Sequence, residues 1–108
     1  MQSRATDLAR KYYETFQTGT RQEMESMMSD DFTFTSPRDD HIDKKEFFKR
    51  CWPNRDKISM TVENVVADGS DVFVRYKAKT GKDDFFNTEF LRIEDGKLKA
   101  VEVYFGSE

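Results

Sequence analysis

The sequence predicts an α+β domain in which helices cover one face of a curved antiparallel sheet, in the order α-α-β-α-β-β-β-β. Apolar residues recur at helical spacing in the first part of the chain, and four strand-like stretches follow residue 57. Two Asp-Gly pairs separate strands, as hairpin turns do. With 108 residues and no repeat or linker, the chain is expected to form one domain over residues 1–108.

The first two helices are predicted from their apolar faces and their ends. Gly19 is expected to end the first helix in the left-handed conformation that closes a final turn. The segment Thr20-Arg21-Gln22-Glu23 is a capping box, which predicts that a second, methionine-rich helix begins there. The apolar side of the first helix is formed by Ala5, Leu8, Ala9, Tyr12, Tyr13 and Phe16.

A short strand and a third helix follow, joined by a polar loop. Phenylalanine and threonine alternate over residues 32–35, which predicts a strand that ends before Pro37. Asp43 occupies the N-cap position of a helix over residues 44–52, and Pro53 is expected to stop that helix.

The second half of the chain predicts four strands in a meander. Asp68-Gly69 and Asp95-Gly96 predict tight hairpins, because both residue types tolerate positive φ, and Thr80-Gly81 separates the middle pair. The predicted strands cover residues 58–67, 72–79, 85–93 and 97–105.

Composition limits the classes of partner. Charged residues make up 36% of the chain and aromatic residues 14%, so a core built largely of phenylalanine is expected. The net charge is −3 and the charges are intermixed, so no basic patch predicts nucleic-acid binding. The basic residues of the third helix lie opposite its apolar residues, where a solvated helix face explains them.

Cysteine usage and hydropathy exclude further classes. Cys51 is the single cysteine, which rules out an intrachain disulfide, and no zinc-ligand spacing exists. Because no metal or phosphate motif is present, neither a metal nor a cofactor is expected. The chain has no apolar stretch like that of a signal peptide or a membrane span of ~20 residues. A cytoplasmic protein without a membrane partner is therefore expected.

The most informative polar residues lie between the first strand and the third helix. Asp39, Asp40 and His41, the only histidine, follow that strand directly. Ionisable groups at the rim of an apolar surface are what a small-molecule pocket needs. Histidine suits proton transfer near neutral pH, and Asp40 is expected to orient it, but the residues leave open which of the three is the base. The competing hypothesis is a hydrogen-bonded loop that only fixes the entry into the helix.

This order of elements resembles the nuclear-transport-factor-like superfamily of α+β cones, which includes ketosteroid isomerase and the SnoaL-type polyketide cyclases. The resemblance extends from Tyr12 to Gly106, and its most specific parts are DDFTFTSPRDDHID, EDGKL and VEVYFG. It implies a cone whose internal pocket lies between the helices and the concave face of the sheet. Because this fold hosts enzymes, ligand binders and interaction domains, the resemblance implies alternative functions.

The resemblance also implies catalytic residues. Ketosteroid isomerase combines a tyrosine and a protonated carboxylic acid with a carboxylate base. Tyr12 matches the tyrosine of the first helix, and Glu89 matches the buried acid, so both would donate hydrogen bonds to negative charge developing on oxygen. Ser36 stands where the isomerase has its base, and the base is therefore expected from Asp40 with His41.

The strand that carries Glu89 allows two registers. Strand faces alternate, so a slip of one residue would turn Thr88 inward instead. Glu89 is preferred, because Leu91 and Ile93 then share its face and Arg92 points to water.

The pocket is expected to hold a small, mostly apolar molecule. Glu102 and Tyr104 would lie on the outer face of the sheet, and relatives use this face to dimerise, so a homodimer is expected. The side chains expected to contact the small molecule are Phe16, Phe34, Ser36, Phe48, Trp52, Tyr76, Val101, Val103 and Phe105.

The sequence leaves two functions open. The first is metal-free acid–base catalysis of isomerisation, cyclisation, dehydration or hydrolysis beside a carbonyl or epoxide. The second is a non-catalytic small-ligand-binding or protein-interaction module, which the missing carboxylate at Ser36 favours. Convergence of His41, Tyr12 and Glu89 on one cavity would favour the enzyme, because proton transfer requires hydrogen-bond reach.

Overall fold

The computed structural model describes residues 4–105, apart from the side chain of Phe105. In this range the chain forms three α-helices, one 3-10 helix and six strands. The elements are α1 (Arg4–Thr18), α2 (Arg21–Met27), β1 (Met28–Ser36), β2 (Asp39–Asp43), α3 (Lys44–Arg50), the 3-10 helix η1 (Trp52–Lys57), β3 (Ser59–Asp68), β4 (Asp71–Thr80), β5 (Asp83–Glu94) and β6 (Lys97–Phe105).

The six strands form one open sheet in the order β2-β1-β6-β5-β4-β3. The central pairing of β1 with β6 is parallel and the other pairings are antiparallel, so the sheet is mixed. Register shifts interrupt the pairings of β1, β3 and β6, and such bulges increase the local twist and bend of a strand. The predicted α+β architecture, with helices against one face of the sheet, is confirmed, but the sheet is mixed rather than purely antiparallel.

The core lies between the helices and the inner face of the sheet. In β4, Val72, Val74 and Tyr76 are buried, whereas the intervening Phe73 and Arg75 are exposed, as alternation along a strand requires. From the helices, the largest fully buried side chains are Met24 and Phe47.

Two predicted boundaries near Pro37 and Pro53 are corrected. The polar loop is a strand, β2, which pairs antiparallel with β1 and aligns Ser36 with Asp39. The third helix ends at Arg50, and the chain continues as η1 with the proline in its first turn. A proline is tolerated there because the first turn of a helix leaves its N–H groups unpaired.

Gly19 ends α1 for a different reason than predicted. Its φ is outside the left-handed region, and its N–H donates to the Thr15 carbonyl oxygen at 2.8 Å. A Cβ at Gly19 would lie 2.7 Å from Thr15 Cγ2 and 2.9 Å from Thr15 Cα. The glycine therefore permits a close approach of the chain to its own preceding turn.

The predicted caps of α2 and α3 and the predicted turn of the last hairpin are confirmed. Thr20 and Glu23 form the predicted capping box, and the Asp43 carboxylate accepts the Glu46 N–H at 2.9 Å as the N-cap of α3. Asp95 and Gly96 both have positive φ in the last hairpin. None of the helices in residues 4–105 has the length and hydropathy needed to cross a membrane.

Candidate active site

An open cavity lies between the helices and the inner face of the sheet. Its volume is ≈ 1330 Å³, and its wall combines aromatic side chains with polar and charged ones. Two groups of polar lining residues are hydrogen-bonded within themselves, and we name them the carboxyl–tyrosine cluster (Glu89, Tyr13, Tyr76 and Asn87) and the Asp39–Arg50 pair. The aromatic wall includes Tyr12, Tyr13, Phe16, Phe34, Phe47 and Phe85.

The carboxyl–tyrosine cluster is centred on Glu89, which lies on the inner face of β5 and is 5% exposed. The Tyr13 hydroxyl, from α1, donates to Glu89 Oε1 at 2.8 Å. The Tyr76 hydroxyl, from β4, donates to Glu89 Oε2 at 2.5 Å. Thr88 is exposed, so the preferred register, with the carboxyl facing inward, is confirmed. Each oxygen of the buried carboxyl therefore has one tyrosine donor.

Burial changes the protonation of this carboxyl. Desolvation raises the pKa of Glu89 to about 7, although the hydrogen bonds from Tyr76 and Tyr13 act in the opposite direction. Burial, followed by the nearby carboxyl, raises the pKa of both tyrosines, so their hydroxyls stay protonated. Near neutral pH, Glu89 is therefore partly a neutral acid that can itself donate a hydrogen bond.

Asn87 completes the cluster from the same face of β5. Its Nδ2 donates to the Tyr76 hydroxyl oxygen at 3.2 Å. Its Oδ1 is buried and has no hydrogen-bond partner among the described residues. A buried, unpaired acceptor is uncommon in folded proteins.

Tyr12 and Glu89 both line the cavity, but Tyr12 makes no hydrogen bond to this acid. Its ring packs edge-on against Tyr13, with ring centroids 5.0 Å apart. Within the described residues its hydroxyl has no hydrogen-bond partner, and it is Tyr13 that binds Glu89. The two tyrosines are adjacent on one helix, and both are buried on its apolar side.

Asp40 and His41, predicted as the base pair, lie outside the cavity. The side chain of Asp40 is 93% exposed and that of His41 is 68% exposed. They contact each other, with His41 Nδ1 2.6 Å from Asp40 Oδ1. Regular alternation along β2 would place His41 on the same face as Asp39. The register shift between Phe34 and Ser36 and the positive φ of His41 interrupt it. Of Asp39, Asp40 and His41, Asp39 alone lines the cavity.

Asp39 is the carboxylate that this segment contributes to the cavity. Its Oδ1 accepts from Arg50 Nη1 at 2.8 Å, and its Oδ2 accepts from the Ser36 hydroxyl at 3.2 Å. Its side chain is 17% exposed. The cavity thus has a carboxylate next to Ser36, although Ser36 itself stands where the isomerase has its carboxylate base.

Cys51 lies on the cavity wall and is affected by both carboxyl groups. Burial raises the pKa of its thiol to about 12, and Asp39 and Glu89 both add to the effect. The thiol is therefore protonated and is a poor nucleophile.

Five of the nine side chains predicted to contact a ligand line the cavity: Phe16, Phe34, Ser36, Tyr76 and Val103. Phe48 and Trp52 do not, because they pack against each other behind the wall, with ring centroids 5.6 Å apart. Val101 is fully buried in the sheet core. The side chain of Phe105 lies outside the described part of the chain.

Sequence reasoning missed Tyr13, Asn87 and Arg50 as cavity residues. Asn87 precedes Glu89 by two residues and therefore shares its face, a signal that was available. Arg50 was assigned to a solvated helix face. Among residues 4–105, no three His, Cys, Asp or Glu side chains cluster closely enough to hold a metal ion.

Comparisons with known proteins agree with this architecture. A family model described as a SnoaL-like domain matches residues 9–101. A provisionally assigned ketosteroid isomerase from Kribbella flavida is 21% identical, with a TM-score of 0.85 over 97% of this chain and 79% of that chain. A provisionally assigned polyketide cyclase from Sinorhizobium meliloti is 16% identical, with a TM-score of 0.76 over 91% and 94% of the two chains.

An LEH-like epoxide hydrolase from M. tuberculosis is 14% identical, with a TM-score of 0.79 over 95% of this chain and 83% of that chain. Among curated proteins, no match was found. At these identities the likeness to solved structures shows the fold alone.

Proposed function

The chain belongs to the SnoaL-like domain family, and from this premise we propose that it is an acid–base enzyme acting on a small, mostly apolar carbonyl compound. The observation that carries the proposal is the buried Glu89 carboxyl, held by two tyrosines beside an aromatic cavity. A neutral acid in a water-poor site is a strong donor to an oxygen that gains negative charge.

Asp39 supplies the base in this proposal. Its carboxylate takes a proton from the carbon beside the carbonyl. The electron pair of that C–H bond forms a C=C bond, and the π pair of the carbonyl moves to its oxygen. Glu89 stabilises the resulting enolate by hydrogen bonding to that oxygen. Return of the proton to another carbon gives isomerisation. Ser36 and Arg50 fix the orientation of the carboxylate through their hydrogen bonds.

Hydrogen–deuterium exchange at the carbons beside the carbonyl of 2-tetralone, followed by NMR in D₂O, tests the proposal. The wild type is expected to accelerate exchange, and Asp39→Asn is expected to slow it at least ~100-fold, the usual contribution of a positioned base. Asp40→Asn removes the adjacent, exposed carboxylate and is the matched control, with no change expected.

The pH profile gives a second readout of the same experiment. Glu89 is neutral below its pKa of about 7, so exchange is expected to fall as pH rises above that value. Glu89→Gln should remove this fall. Equal exchange rates in wild type and Asp39→Asn would show that the proposed base is wrong.

A non-catalytic carrier is the second candidate function. It is favoured by the contacts of Asp39, because both carboxylate oxygens already accept hydrogen bonds and one of them faces an arginine. In that case 2-tetralone would bind without accelerated exchange. Mass spectrometry of small molecules retained by the native protein would then identify the cargo.

We also propose that the protein forms a homodimer through the outer face of the sheet. Phe73 stacks on Phe90 there, with ring centroids 5.0 Å apart, and Tyr104 is 55% exposed. Arg75 and Glu102 are neighbours of these aromatic side chains in the sheet register. A patch with both charge signs around exposed rings fits a second copy turned about a two-fold axis.

A further inference from the structure

Asn87 has a side chain that core packing does not explain. It is 4% exposed, and its Oδ1 lacks a partner among the described residues. Leaving a buried acceptor unpaired is unfavourable. Turning the amide over would place Oδ1 against the Tyr76 hydroxyl, where a donor is available in principle. Turned over, the amide would leave Nδ2 without an acceptor instead, so its orientation depends on whether the Tyr76 hydroxyl donates or accepts there.

The Tyr76 hydroxyl sets this orientation, because a phenol has a single proton to donate. That proton is directed to Glu89 Oε2 at 2.5 Å. The phenol oxygen can then only accept, so Asn87 must present Nδ2, which lies 3.2 Å away. The unpaired Oδ1 is the consequence of committing the tyrosine proton to Glu89.

A second arrangement of the same groups would pair Asn87 Oδ1 but leave Nδ2 without an acceptor. Glu89 in its neutral form could donate its proton to the Tyr76 oxygen, and Tyr76 could donate to Oδ1 of a turned Asn87. In that arrangement the acid proton is used inside the cluster. A ligand in the cavity would then lose its strongest donor.

We propose that Asn87 is a positioning residue: by donating to Tyr76 it keeps the tyrosine a donor to Glu89 and leaves the acid proton of Glu89 for the ligand carbonyl. With Tyr13 and Tyr76 each bound to one oxygen, the remaining lone pairs of the carboxyl are where an acid proton resides. The inference rests on the proposed function, since it concerns the donor of that reaction.

Other ionisable groups face the cluster from each neighbouring element. Tyr12 and Tyr13 face it from α1, and Cys51 faces it from the segment that follows α3. Burial raises the pKa of each of these three groups, so they stay neutral around pH 7. Asp39 and Arg50 lie beyond Cys51 and pair with each other. Glu89 is therefore the group in the cluster whose charge changes near neutrality.

The test uses the carbonyl stretch of bound 2-tetralone, measured by infrared difference spectroscopy, together with its deuterium exchange. In the wild type below pH 7, donation from Glu89 should lower the stretching frequency relative to ketone in water. Asn87→Leu should move it back and slow exchange at least ~10-fold, as loss of a donor to a developing oxyanion does. Asn87→Asp keeps the shape without the N–H and should do the same.

Two controls separate positioning from general damage. Thr88→Ala alters the adjacent, outward-facing residue of β5 and should leave both readouts unchanged. Asn87→Leu combined with Glu89→Gln should exchange no more slowly than Glu89→Gln alone, because the lost donor is the same.

The outcomes distinguish the two proposals. A wild-type carbonyl stretch equal to that in water, with no accelerated exchange, overturns the proposed function and this inference with it. A lowered frequency that persists in folded Asn87→Leu or Asn87→Asp, with an unchanged pH profile, overturns the role of Asn87 alone.

Discussion

At the residue scale, Glu89 shows how burial changes the chemistry of an ordinary carboxyl. The residue faces inward between Leu91 and the cavity, so its charged form loses water. Hydrogen bonds from Tyr13 and Tyr76 stabilise the charged form in part, but burial has the larger effect and the pKa of Glu89 stays raised. The same residue one position earlier or later on β5 would face solvent and behave as a surface acid.

This carboxyl should make stability depend on pH. Its pKa is 4.5 in an unperturbed chain and about 7 in the fold, so the native state binds more protons between these values. The contribution of Glu89 to the free energy of unfolding should be greatest below pH 4.5, fall by about 3 kcal/mol as pH rises to 7, and then level off.

Urea unfolding across pH 4–8 checks this expectation. Glu89→Gln lacks the titration, so its stability relative to wild type should rise over the same interval. Glu63→Gln, on an exposed residue of β3, is the control and should follow the wild type. Parallel pH curves for wild type and Glu89→Gln would contradict the raised pKa.

At the scale of elements, the ends of the helices depend on local contacts that differ in kind. The capping residues Thr20 and Asp43 act through hydrogen bonds, which sequence patterns predict well. Gly19 acts through its lack of a side chain, because the chain there passes so close to Thr15 that a Cβ atom would clash. Sequence patterns do not separate this use of glycine from a left-handed cap.

Gly19→Ala should therefore destabilise the protein by about 1–3 kcal/mol, as other overpacked sites do. The added Cβ would meet both the side chain and the backbone of Thr15, at 2.7 Å and 2.9 Å. Adding Thr15→Ser removes the nearer methyl group and should recover part of the loss. Thermal unfolding of the single and double variants measures both effects, and a neutral Gly19→Ala would show that the turn relaxes freely.

At the scale of the whole molecule, the two faces of the sheet differ in exposure. Its inner face forms the core and the cavity, and its outer face exposes Phe73, Phe86, Val66 and Tyr104. Exposed rings in one contiguous area are uncommon on monomers. The proposed dimer would cover these side chains on the face of the sheet opposite the core.

Phe73→Glu should convert the proposed dimer to a monomer. A charge at the centre of a self-paired surface faces its own copy across the two-fold axis. Light scattering after size-exclusion chromatography should show the mass halved, with circular dichroism unchanged. Lys79→Glu, at the far end of the same strand face, should leave the mass as in wild type. A wild type that is already monomeric would refute the dimer.

The sequence by itself predicted the starts of α2 and α3, the hairpin turns and the α+β class, and it favoured the inward register of Glu89 over that of Thr88. These features depend on residues that are neighbours along the chain, through periodicity, capping and turn conformation. It also placed Tyr12 and Tyr13 together on one buried helix face. It did not predict which of the two tyrosines contacts Glu89, because that depends on how α1 packs against the sheet.

Only the tertiary structure decided which polar groups meet. The pairing of β2 with β1 selected Asp39 over Asp40 and His41, and the rotation of α1 selected Tyr13 over Tyr12 as the partner of Glu89. These choices depend on long-range strand pairing and packing, which a single sequence does not encode locally. Tyr12 and Tyr13 are both buried on one helix, so periodicity does not select between them. Alternation alone would also place Asp39 and His41 on the same strand face.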